Sequence, residues 1–544
     1  MVCIYRITGI KKTPITTGKR NIVFPLSLIN LRTLIMKRLF ICLYISFLSS
    51  LSFAQSEETP TPQWRPVYHF TPEKNWMNDP NGLIYLNGEY HMYYQYNPYS
   101  VKSAHKSWGH AVSKDLIHWE NLPLAMPEII GKDTAQIYSG CAVWDKNNTT
   151  GFCKNGDCII AIYTADQSSL KKESQYIAYS NDGGMTYTNY EKNPVIDLQK
   201  KDFRDPNVIW LEDQKKWLMT VALPRERKVR FYSSANLKDW QLLSEFGGNE
   251  GDIRRIWECP SLTPMHVDGD PAKPKWLLMV SSGNQNAEIG MQYFIGDFDG
   301  KTFTNNFSSG NKMFVDYGST YYAAIPWNNL PGNQNIIIGW LHPSSTDTYP
   351  WRGQMSIPRD MMLKTTRDGI KLYQQPASIV KRALAKLSAD KTIMKQDLQL
   401  NNQEIALNTQ TAFNANTNWI ETEFTLGSAT DFGFKLAQQK DSAGKVTDEF
   451  VVGYNTKSSE LYIGHLVNNL ITGNLQIVPA NPIDNKIKLE LLLDKSSLEV
   501  FVNNGEKVIT ALIYPGENAT QFSVFAKDGN VKINALKVWD LNDH

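Results

Sequence analysis

The sequence has 544 residues, enough for about two domains with large hydrophobic cores. Its 56 basic and 54 acidic residues give a net charge of +2, and no basic block resembles a nucleic-acid footprint, which argues against that class of partner. Aromatic residues make up 11% of the chain, with 15 Trp and 25 Tyr, a composition typical of β-sheet proteins whose rings pack sheets or stack on ligands.

The N-terminal segment predicts an export signal. It has a positively charged start at Met36–Arg38, an apolar run over residues 39–51 and a small-x-small cleavage site at Ser52–Ala54. The apolar run is too short to span a membrane, and no later run approaches the length of a transmembrane helix. We therefore expect residues 1–54 to be an extension and signal peptide, with translation starting at Met36. The mature protein is expected in the periplasm, at the cell surface or in the medium, without a lipid anchor at Cys42.

Four cysteines remain after the predicted cleavage. Cys153 and Cys158 flank a Lys-Asn-Gly-Asp sequence, in which Asn-Gly favours a tight turn, so a disulfide across this turn is expected in an oxidising compartment. A zinc site is not supported, because no second Cys or His pair has ligand spacing. We interpret Cys259 as a small buried residue.

Short alternating runs separated by turn residues predict an all-β protein, and long amphipathic helical patterns are absent. One sequence element recurs at residues 113–122, 180–190, 234–243 and 296–306, each time as a small or polar residue, an Asp or Asn/Gly turn and an aromatic residue. Its interval of about 60 residues is longer than that of common propeller repeats and fits four strands with long loops.

A second element recurs out of phase with the first and places a small polar or acidic residue just before an apolar strand. Its five polar residues, at intervals of about 60 residues, are Asp79, Ser139, Asp205, Glu258 and Asp316. Five such strand starts predict five blades, whose inner strands bring these residues to one end of a common axis. The sequence therefore predicts a five-bladed β-propeller over residues 64–375.

The pattern changes near residue 375. Residues 376–390 carry apolar residues at helical spacing after a proline and predict a linker helix. From residue 391 to 544 the sequence alternates again, with a tight hairpin at Asn503–Gly505, and the regular strand spacing predicts a β-sandwich. No acidic or His cluster stands at a strand start there, so we expect a structural or sugar-contacting role for the sandwich.

Three of the polar strand starts are carboxylates that match the chemistry of glycosidic cleavage. Hydrolysis needs one ionised carboxyl group to attack and one protonated group to assist departure, and a third can bind sugar hydroxyls as positive charge develops on the ring. Asp79, Asp205 and Glu258 would fill these roles. Repulsion among them and burial against Trp257 should raise the pKa of one group, for which Glu258 is the candidate.

Several motifs in the chain resemble those of glycoside hydrolase family 32, the β-fructosidases that include invertases, inulinases and levanases. The matching sequences are WMNDPNG, YQYNP, WGHAVSKDLIHWENLPLA, FRDPNV, WECPSL, WRGQMSIPR and, near the C-terminus, DKSSLEVFVNNGEKVIT. The resemblance extends from about residue 64 to the C-terminus. It implies a five-bladed propeller followed by a β-sandwich, and a retaining hydrolase that acts on levan, inulin or sucrose.

The resemblance also implies roles for single residues. Asp79 matches the nucleophile, Glu258 the general acid/base and Asp205 the transition-state stabiliser. The matches to positions that bind the terminal fructose or wall its pocket are Asn78, Gln95, Trp108, Ser139, Arg204, Asp316 and Trp340. Arg204 and Asp205 would form a guanidinium–carboxylate pair suited to vicinal hydroxyls.

Two segments depart from the family pattern. Ser103 stands where the family usually has a Trp, and the sequence GWLHPSS replaces a later Asn-Trp pattern. Both segments would wall the pocket of the terminal sugar. The loss of bulk makes a more open cleft, which cuts inside a chain, a hypothesis beside the removal of terminal units.

Other functions match parts of the sequence. An inverting propeller hydrolase of arabinose or xylose chains would not carry NDPNG together with WECP, and a sialidase would need three Arg and a Tyr nucleophile at strand starts. A non-catalytic sugar-binding propeller would have lost Asp79 or Glu258, whereas a fructosyltransferase would share every catalytic residue and stays open. No phosphate loop, metal-spaced cluster or dinucleotide fingerprint is present, so we expect no cofactor. The expected partner is a fructan or sucrose-type carbohydrate.

Overall fold

The structure is a computed structural model that describes residues 60–131, 134–154, 158–283, 289–343, 348–388, 392–408 and 416–541. Regular structure in these residues is nearly all β-strand, mostly in antiparallel pairs, which confirms the predicted all-β class. Short 3-10 helices lie at Pro62–Trp64, Ser168–Leu170, Glu212–Gln214 and Pro224–Glu226. The export signal predicted within residues 1–54 lies outside the described residues. In the described ranges, no helix has the length and apolar character needed to cross a membrane.

Five sheets follow one another between Asn75 and Pro376. The first contains β1 (Asn75–Leu86), β2 (Glu89–Asn97), β3 (Ser107–Ser113) and β4 (Trp119–Met126). The second contains β5 (Gln136–Trp144), β6 (Ile159–Gln167), β7 (Lys172–Ser180), β8 (Thr188–Asn189) and β9 (Ile196–Lys200). The third contains β10 (Arg204–Leu211), β11 (Lys216–Leu223), β12 (Lys228–Ser234) and β13 (Gln241–Gly247).

The last two of these sheets bring the chain back to the first. The fourth contains β14 (Ile256–His266), β15 (Pro274–Gly283), β16 (Ile289–Phe298), β17 (Phe303–Asn305) and β18 (Phe314–Asp316). The fifth is formed from β19 (Tyr321–Pro326), β20 (Ile336–Leu341), β22 (Gln354–Met355), β23 (Arg359–Thr366) and β24 (Gly369–Pro376), while β21 (Trp351–Arg352) pairs in parallel with β1. The first strands of the five sheets, here called the inner strands, contact one another in chain order, and the fifth contacts the first. The inner strands β1, β5, β10, β14 and β19 therefore form a closed ring.

Every inner strand carries a β-bulge near its first residues. In each, two consecutive residues lie opposite a single residue of the second strand. The bulged pairs are Asn78–Asp79, Tyr138–Ser139, Asp205–Pro206, Cys259–Pro260 and Ala323–Ala324. A bulge bends the strand and re-aims its side chains, so the repeated polar strand starts coincide with a repeated backbone feature.

The first repeated sequence element forms the same polar turn before the fourth strand of four sheets. In each turn one side-chain oxygen accepts two backbone N–H groups within 3.1 Å, and these oxygens belong to Asp115, Asp182, Asn236 and Asp299. Such side-chain bonds to local backbone stabilise turns, which explains why Asp and Asn recur in the element.

Two six-stranded sheets follow the helix α1 (Ser378–Leu387). In spatial order the first contains β25 (Thr392–Asn401), β36 (Asn530–Asp540), β27 (Asn418–Leu426), β32 (Lys486–Asp494), β33 (Ser497–Val502) and β34 (Lys507–Leu512). The second contains β26 (Glu404–Ala406), β35 (Gln521–Lys527), β28 (Asp431–Lys440), β29 (Val446–Asn455), β30 (Glu460–Val467) and β31 (Leu470–Pro479). Their apolar residues form one shared core. Asn503, Asn504 and Gly505 all take positive φ in the hairpin between β33 and β34, as their sequence predicts.

A buried ionic cluster joins these two sheets to the five-sheet region. Arg359 is fully buried and donates to Glu499 Oε2 through Nε at 3.1 Å and to Asp316 Oδ2 through Nη1 at 2.9 Å. His69 lies between Asp494 and Glu499, with its ring nitrogens 2.8 Å and 3.1 Å from their oxygens. Every charge in this cluster has an opposite partner, which is the condition for burying charges.

The cluster corrects the predicted place of Asp316. This residue ends β18 at the edge of the fourth sheet and does not start the fifth inner strand, which begins at Tyr321. Its carboxylate accepts bonds from Arg359 and from the Thr510 hydroxyl at 2.6 Å. A Cβ at Gly318 would lie 1.8 Å from the Thr510 carbonyl oxygen, so the chain after Asp316 presses against β34.

The expected disulfide is not formed in the structure, in which Cys153 and Cys158 are both free thiols. Cys153 Sγ lies 3.6 Å from the Asp145 carbonyl oxygen, and the two cysteine side chains hydrogen-bond to each other.

Candidate active site

The starts of three inner strands bring Asp79, Asp205 and Glu258 to one end of the ring. Cys259 Sγ lies 3.7 Å from Asp79 Oδ2 and 3.6 Å from Asp205 Oδ2. Burial and the neighbouring carboxylates raise the pKa of the Cys259 thiol, so the thiol stays protonated and can act as a weak donor to both. The sulfur therefore marks the point where the three strands approach.

Asp79 is held by donors from two strands. Ser139 Oγ donates to Asp79 Oδ2 at 2.6 Å, and Asn78 Nδ2 donates to Asp79 Oδ1 at 3.1 Å. Gln95, which lies opposite the bulge of β1, accepts from Asn78 Nδ2 at 2.7 Å and donates to Ser139 Oγ at 2.5 Å. These bonds fix the orientation of the carboxylate while Asp79 itself stays half-buried and accessible.

Glu258 is held from two sides. Arg204 donates to Glu258 Oε1 through Nε at 3.0 Å and through Nη2 at 2.9 Å. The Tyr322 hydroxyl donates to Glu258 Oε2. Both oxygens of this carboxylate therefore accept a bond from the protein, which sets its position relative to Asp79.

Arg204 pairs differently from the prediction. The guanidinium donates to Glu258 and also, through Nη1, to both oxygens of Glu173 at 3.1 Å and to Asp202 at 3.3 Å. Asp205, although adjacent in sequence, directs its carboxylate to the Cys259 backbone N–H at 3.0 Å. The bulge at Asp205, whose φ is 66°, turns its side chain away from that of Arg204.

The surroundings of Asp205 raise the pKa of its carboxyl group. Burial is the largest cause, and the charges of Glu258 and Asp79 add to it, while Arg204 opposes the shift. The sequence pointed to Glu258 for this role, because Glu258 lies beside Trp257. The structure instead gives Glu258 a guanidinium partner and buries Asp205, with 6% of its surface exposed.

Replacing Asp205 by Asn is expected to stabilise the protein at neutral pH. Below the unfolded pKa of about 3.9 the carboxyl is protonated in both states, so the change has little effect. As the pH rises toward the raised folded pKa, the unfolded chain releases a proton that the folded protein keeps, and the wild type loses stability. Urea unfolding between pH 3.5 and 8 should show that the variant has a higher free energy of unfolding than the wild type. The difference should grow with pH to about 1–2 kcal/mol.

A matched control is Asp202→Asn. Burial raises the pKa of Asp202, but hydrogen bonds and charges from Arg225 and Arg204 outweigh it and lower the pKa. This variant should therefore be less stable than the wild type. The deficit develops as the pH rises from the lowered folded pKa to the unfolded pKa and stays constant above it, the opposite sign to Asp205→Asn. Equal effects of Asp205→Asn at all pH values would contradict the raised pKa.

Two residues that the sequence analysis missed complete the site. Lys106 is 7% exposed, donates to Asn78 Oδ1, and has its ammonium 5.2 Å from the centre of the Trp76 ring. Burial lowers the pKa of Lys106 to about 8, against the charge of Asp79, which raises it. A lysine in a run of small polar residues is usually exposed, so no local pattern indicates that this one is buried.

Tyr322 is the second missed residue. It stands immediately before the bulge of β19, the same place that Glu258 occupies on β14. The repeat of polar strand starts would identify Tyr322 if the fifth start is taken at Tyr321, where the inner strand begins, and not at Asp316. Burial, the strongest factor, raises the pKa of Tyr322, so its hydroxyl stays a donor to Glu258.

The structure does not bring all the predicted site residues to the three carboxylates at the end of the ring. Asn78, Gln95, Ser139 and Arg204 belong to the hydrogen-bond network around these carboxylates, whereas Asp316 lies in the ionic cluster with Arg359. Trp108 is fully buried, and its indole N–H donates to the Tyr138 carbonyl at 3.0 Å, so it supports the site from the core.

Trp340 lies at the edge of the site. It is 6% exposed and packs edge-to-face on Trp76, with ring centres 5.9 Å apart. Its indole Nε1 has no hydrogen-bond partner in the described part of the chain. Across the described ranges, no group of His, Cys, Asp and Glu residues is arranged to hold a metal ion.

This arrangement has the parts that glycosidic cleavage needs. One carboxylate, Asp79, is oriented and accessible, and a second, Glu258, is positioned by Arg204 and Tyr322. A third, Asp205, is buried beside them. Two carboxyl groups in different surroundings can divide the roles of attack and proton transfer.

Comparisons with known proteins agree with this geometry. The model of the glycosyl hydrolases family 32 N-terminal domain matches residues 69–376, and that of the family 32 C terminal matches residues 384–540. A levanase from Bacillus subtilis is 38% identical over 530 residues, which cover 93% of this chain and 75% of the levanase. An extracellular exo-inulinase from Aspergillus awamori is 34% identical over 532 residues, which cover 90% and 96% of the two chains. A fructofuranosidase from Schwanniomyces occidentalis complexed with fructose has a similar structure, with a TM-score of 0.79, 29% identity, and coverage of 89% of this chain and 100% of that one.

Proposed function

This chain belongs to glycoside hydrolase family 32 and is a β-fructosidase. From that premise we propose that it hydrolyses the β-fructofuranosyl linkages of levan or inulin, with sucrose as a smaller substrate. The observation that carries the proposal is the meeting of Asp79, Asp205 and Glu258 at the bulged starts of three inner strands. The names of the similar proteins agree with this substrate class.

We propose that Asp79 is the nucleophile of a double displacement. Its carboxylate oxygen forms a bond to C2 of the fructosyl unit while the bond from C2 to the leaving sugar oxygen breaks, and the electron pair of that bond stays on the oxygen. The bonds from Ser139 and Asn78 support this role because they orient the carboxylate without covering it.

Glu258 then moves the proton in both steps. It gives a proton to the leaving oxygen, becomes a carboxylate, and accepts a proton from the water that attacks C2 and releases Asp79. The product keeps the configuration of the substrate, because C2 is displaced twice. Arg204 and Tyr322 act as positioning residues that hold the carboxyl group at the leaving oxygen.

Asp205 is proposed to stabilise the transition state. Its hydrogen bonds to fructose hydroxyls would strengthen as positive charge develops on the ring. Burial makes such a bond stronger than it would be in water, at the cost of the raised pKa described above. We expect its ionised form to be the active one.

Asn78 is proposed to act mainly through Asp79. Its Nδ2 donates to Gln95 and Asp79, and its Oδ1 accepts from Lys106 and from Trp76 Nε1 at 2.8 Å. The amide therefore has a partner for every polar atom before any sugar binds. Gln95 and Ser139 share this network, whereas Trp340 is proposed as part of the pocket wall.

The domain boundaries are part of the proposal. The ring of inner strands and the five sheets around it support a five-bladed β-propeller over residues 64–375. The helix α1 supports a linker at 376–390, and the shared core of the last two sheets supports a β-sandwich over 391–544. The predicted signal peptide and the extracellular relative support export of the protein.

We propose that cleavage starts at the chain end. An open cleft around Ser103 is one hypothesis from the sequence, but the same segment brings Lys106 against Asn78. Trp76, Lys106 and Trp340 are each less than one-tenth exposed and close one side of the site beside Asp79. A wall at this position favours a pocket for one terminal sugar over a groove for a chain.

A time course of products from levan, inulin and sucrose tests the function and the cleavage mode. We expect free fructose as the first product from both polymers, and the preferred polymer identifies the linkage. Early release of short oligosaccharides would support the internal cleavage considered from the sequence, and products longer than the substrate would indicate fructosyl transfer. If the enzyme releases fructose from none of the three substrates, the proposed function is wrong.

A further inference from the structure

A cavity of about 530 Å³ lies at the opposite ends of the inner strands from the carboxylates. Asp205 stands at the start of β10 and Trp210 near its end, and at a rise of about 3.3 Å per residue the two lie roughly 16 Å apart along the strand. Trp144 on β5 and Thr263 on β14 line the same cavity. Asn328 Nδ2 donates to the carbonyls of Ala142 and Val208 at 2.9 Å and 3.3 Å, which links neighbouring inner strands beside the cavity.

The cavity has a fixed aromatic wall. Trp210 is half-buried and packs edge-to-face on Trp217, with ring centres 4.8 Å apart, and its indole N–H donates to Glu212 at 2.6 Å. These contacts hold the Trp210 ring in one orientation at the mouth of the cavity. On Trp144 the Lys146 ammonium lies 4.5 Å from the ring centre and covers one face, so Trp210 is the better stacking surface.

The remaining lining is polar and mixed in charge. Side-chain amides line the cavity, from Asn147, Asn329, Gln334 and Asn335. Lys215 pairs with Glu212 at the rim, and Lys146 adds one further positive charge beside Trp144. Aromatic faces combined with amide donors and acceptors suit a neutral ligand rich in hydroxyl groups and C–H faces.

We propose that this cavity is a second, non-catalytic binding site for a fructan chain, with one sugar ring stacked on Trp210 and its hydroxyls bonded to the side-chain amides of the lining. The choice of a fructan rests on the proposed function, and the aromatic and amide lining fixes the class as a neutral oligosaccharide. A second site raises the effective concentration of a polymeric substrate near the enzyme without changing the chemistry at Asp79. It therefore favours long substrates over short ones.

Affinity electrophoresis in native gels that contain levan or inulin tests the site. All proteins carry Asp79→Ala, so the polymer is not consumed. We expect Trp210→Ala to weaken retardation by the polymer about fivefold, and Gln334→Ala, which removes one lining amide, to weaken it about twofold. Trp276→Ala is the matched control, because Trp276 is also a half-buried tryptophan, packed on Phe298 outside the cavity, and should leave retardation unchanged.

Kinetics of the active enzyme separate the second site from the active site. In a background with Asp79 intact, Trp210→Ala should raise KM for the polymer about fivefold and leave kcat/KM for sucrose unchanged. Gln334→Ala removes an exposed amide of the lining, so it carries the test if Trp210→Ala fails to fold. Hydrolysis of fructan with equal retardation of Trp210→Ala, Gln334→Ala and Trp276→Ala would overturn the second site alone. Absence of fructan hydrolysis by the wild type would overturn the proposed function, and retardation by a different neutral polysaccharide would then replace fructan as the ligand.

Discussion

Replacing Asp79 by Ala is expected to reduce kcat on fructan by about 10⁴- to 10⁶-fold, because the variant lacks the group that attacks C2. Ser139 and Asn78 lose their acceptor but keep their bonds to Gln95, so the bulge of β1 stays supported. The fold should therefore remain intact. The measurement is the rate of fructose release together with the circular dichroism spectrum of the variant.

Rescue by a small anion makes this prediction specific to a missing nucleophile. Azide or formate fits the space of the deleted carboxylate and can attack C2 in its place, so either anion should restore part of the rate and azide should yield a fructosyl azide. Asp115→Ala is the control, because Asp115 is a turn carboxylate of the same sheet and lies outside the site. Full activity of Asp79→Ala would refute the assignment of the nucleophile.

Replacing Glu258 by Ala should lower kcat by about 10²- to 10⁴-fold on substrates whose leaving group is a sugar. The loss of kcat/KM, which reports the first step, should be much smaller on an aryl β-fructofuranoside, whose phenolate leaves without protonation. Ala is preferred to Gln here, because both oxygens of Glu258 accept hydrogen bonds and the amide group of Gln would face a donor, either Arg204 or Tyr322.

The pH profile distinguishes loss of the acid from general damage. The alkaline limb of kcat/KM reports the loss of the proton that the acid transfers, so this limb should disappear in Glu258→Ala. An equal loss of rate on sugar and aryl substrates, with the limb retained, would show that another residue is the acid.

The three carboxylates proposed for catalysis could be singled out in the sequence because their signal is local. Asp79, Asp205 and Glu258 each stand just before an apolar strand, and the repeat of that arrangement indicates convergence on an axis. The bulges give the physical basis, since each one turns the backbone at the same position of an inner strand. The all-β class follows from the same alternation of residues.

The partners of these residues could not be predicted, because they come from distant parts of the chain. Asp316 has the sequence of a strand start but is bound by Arg359 and Thr510, which lie far along the chain. Tyr322 reaches Glu258 from another sheet, and Lys106 is buried only because Trp76 and Asn78 surround it. The raised pKa of Asp205 depends on burial, which a sequence of adjacent Arg and Asp does not reveal.

Mass spectrometry of a trapped fructosyl-enzyme tests the central claim most directly. In Glu258→Ala an aryl β-fructofuranoside can still leave in the first step, but no base activates water for the second, so the covalent intermediate should accumulate. We predict a proteolytic peptide that is heavier by one fructosyl unit, with fragmentation placing the addition on Asp79. Addition to Asp205, or an unlabelled enzyme whose product has inverted configuration, would contradict the proposed mechanism.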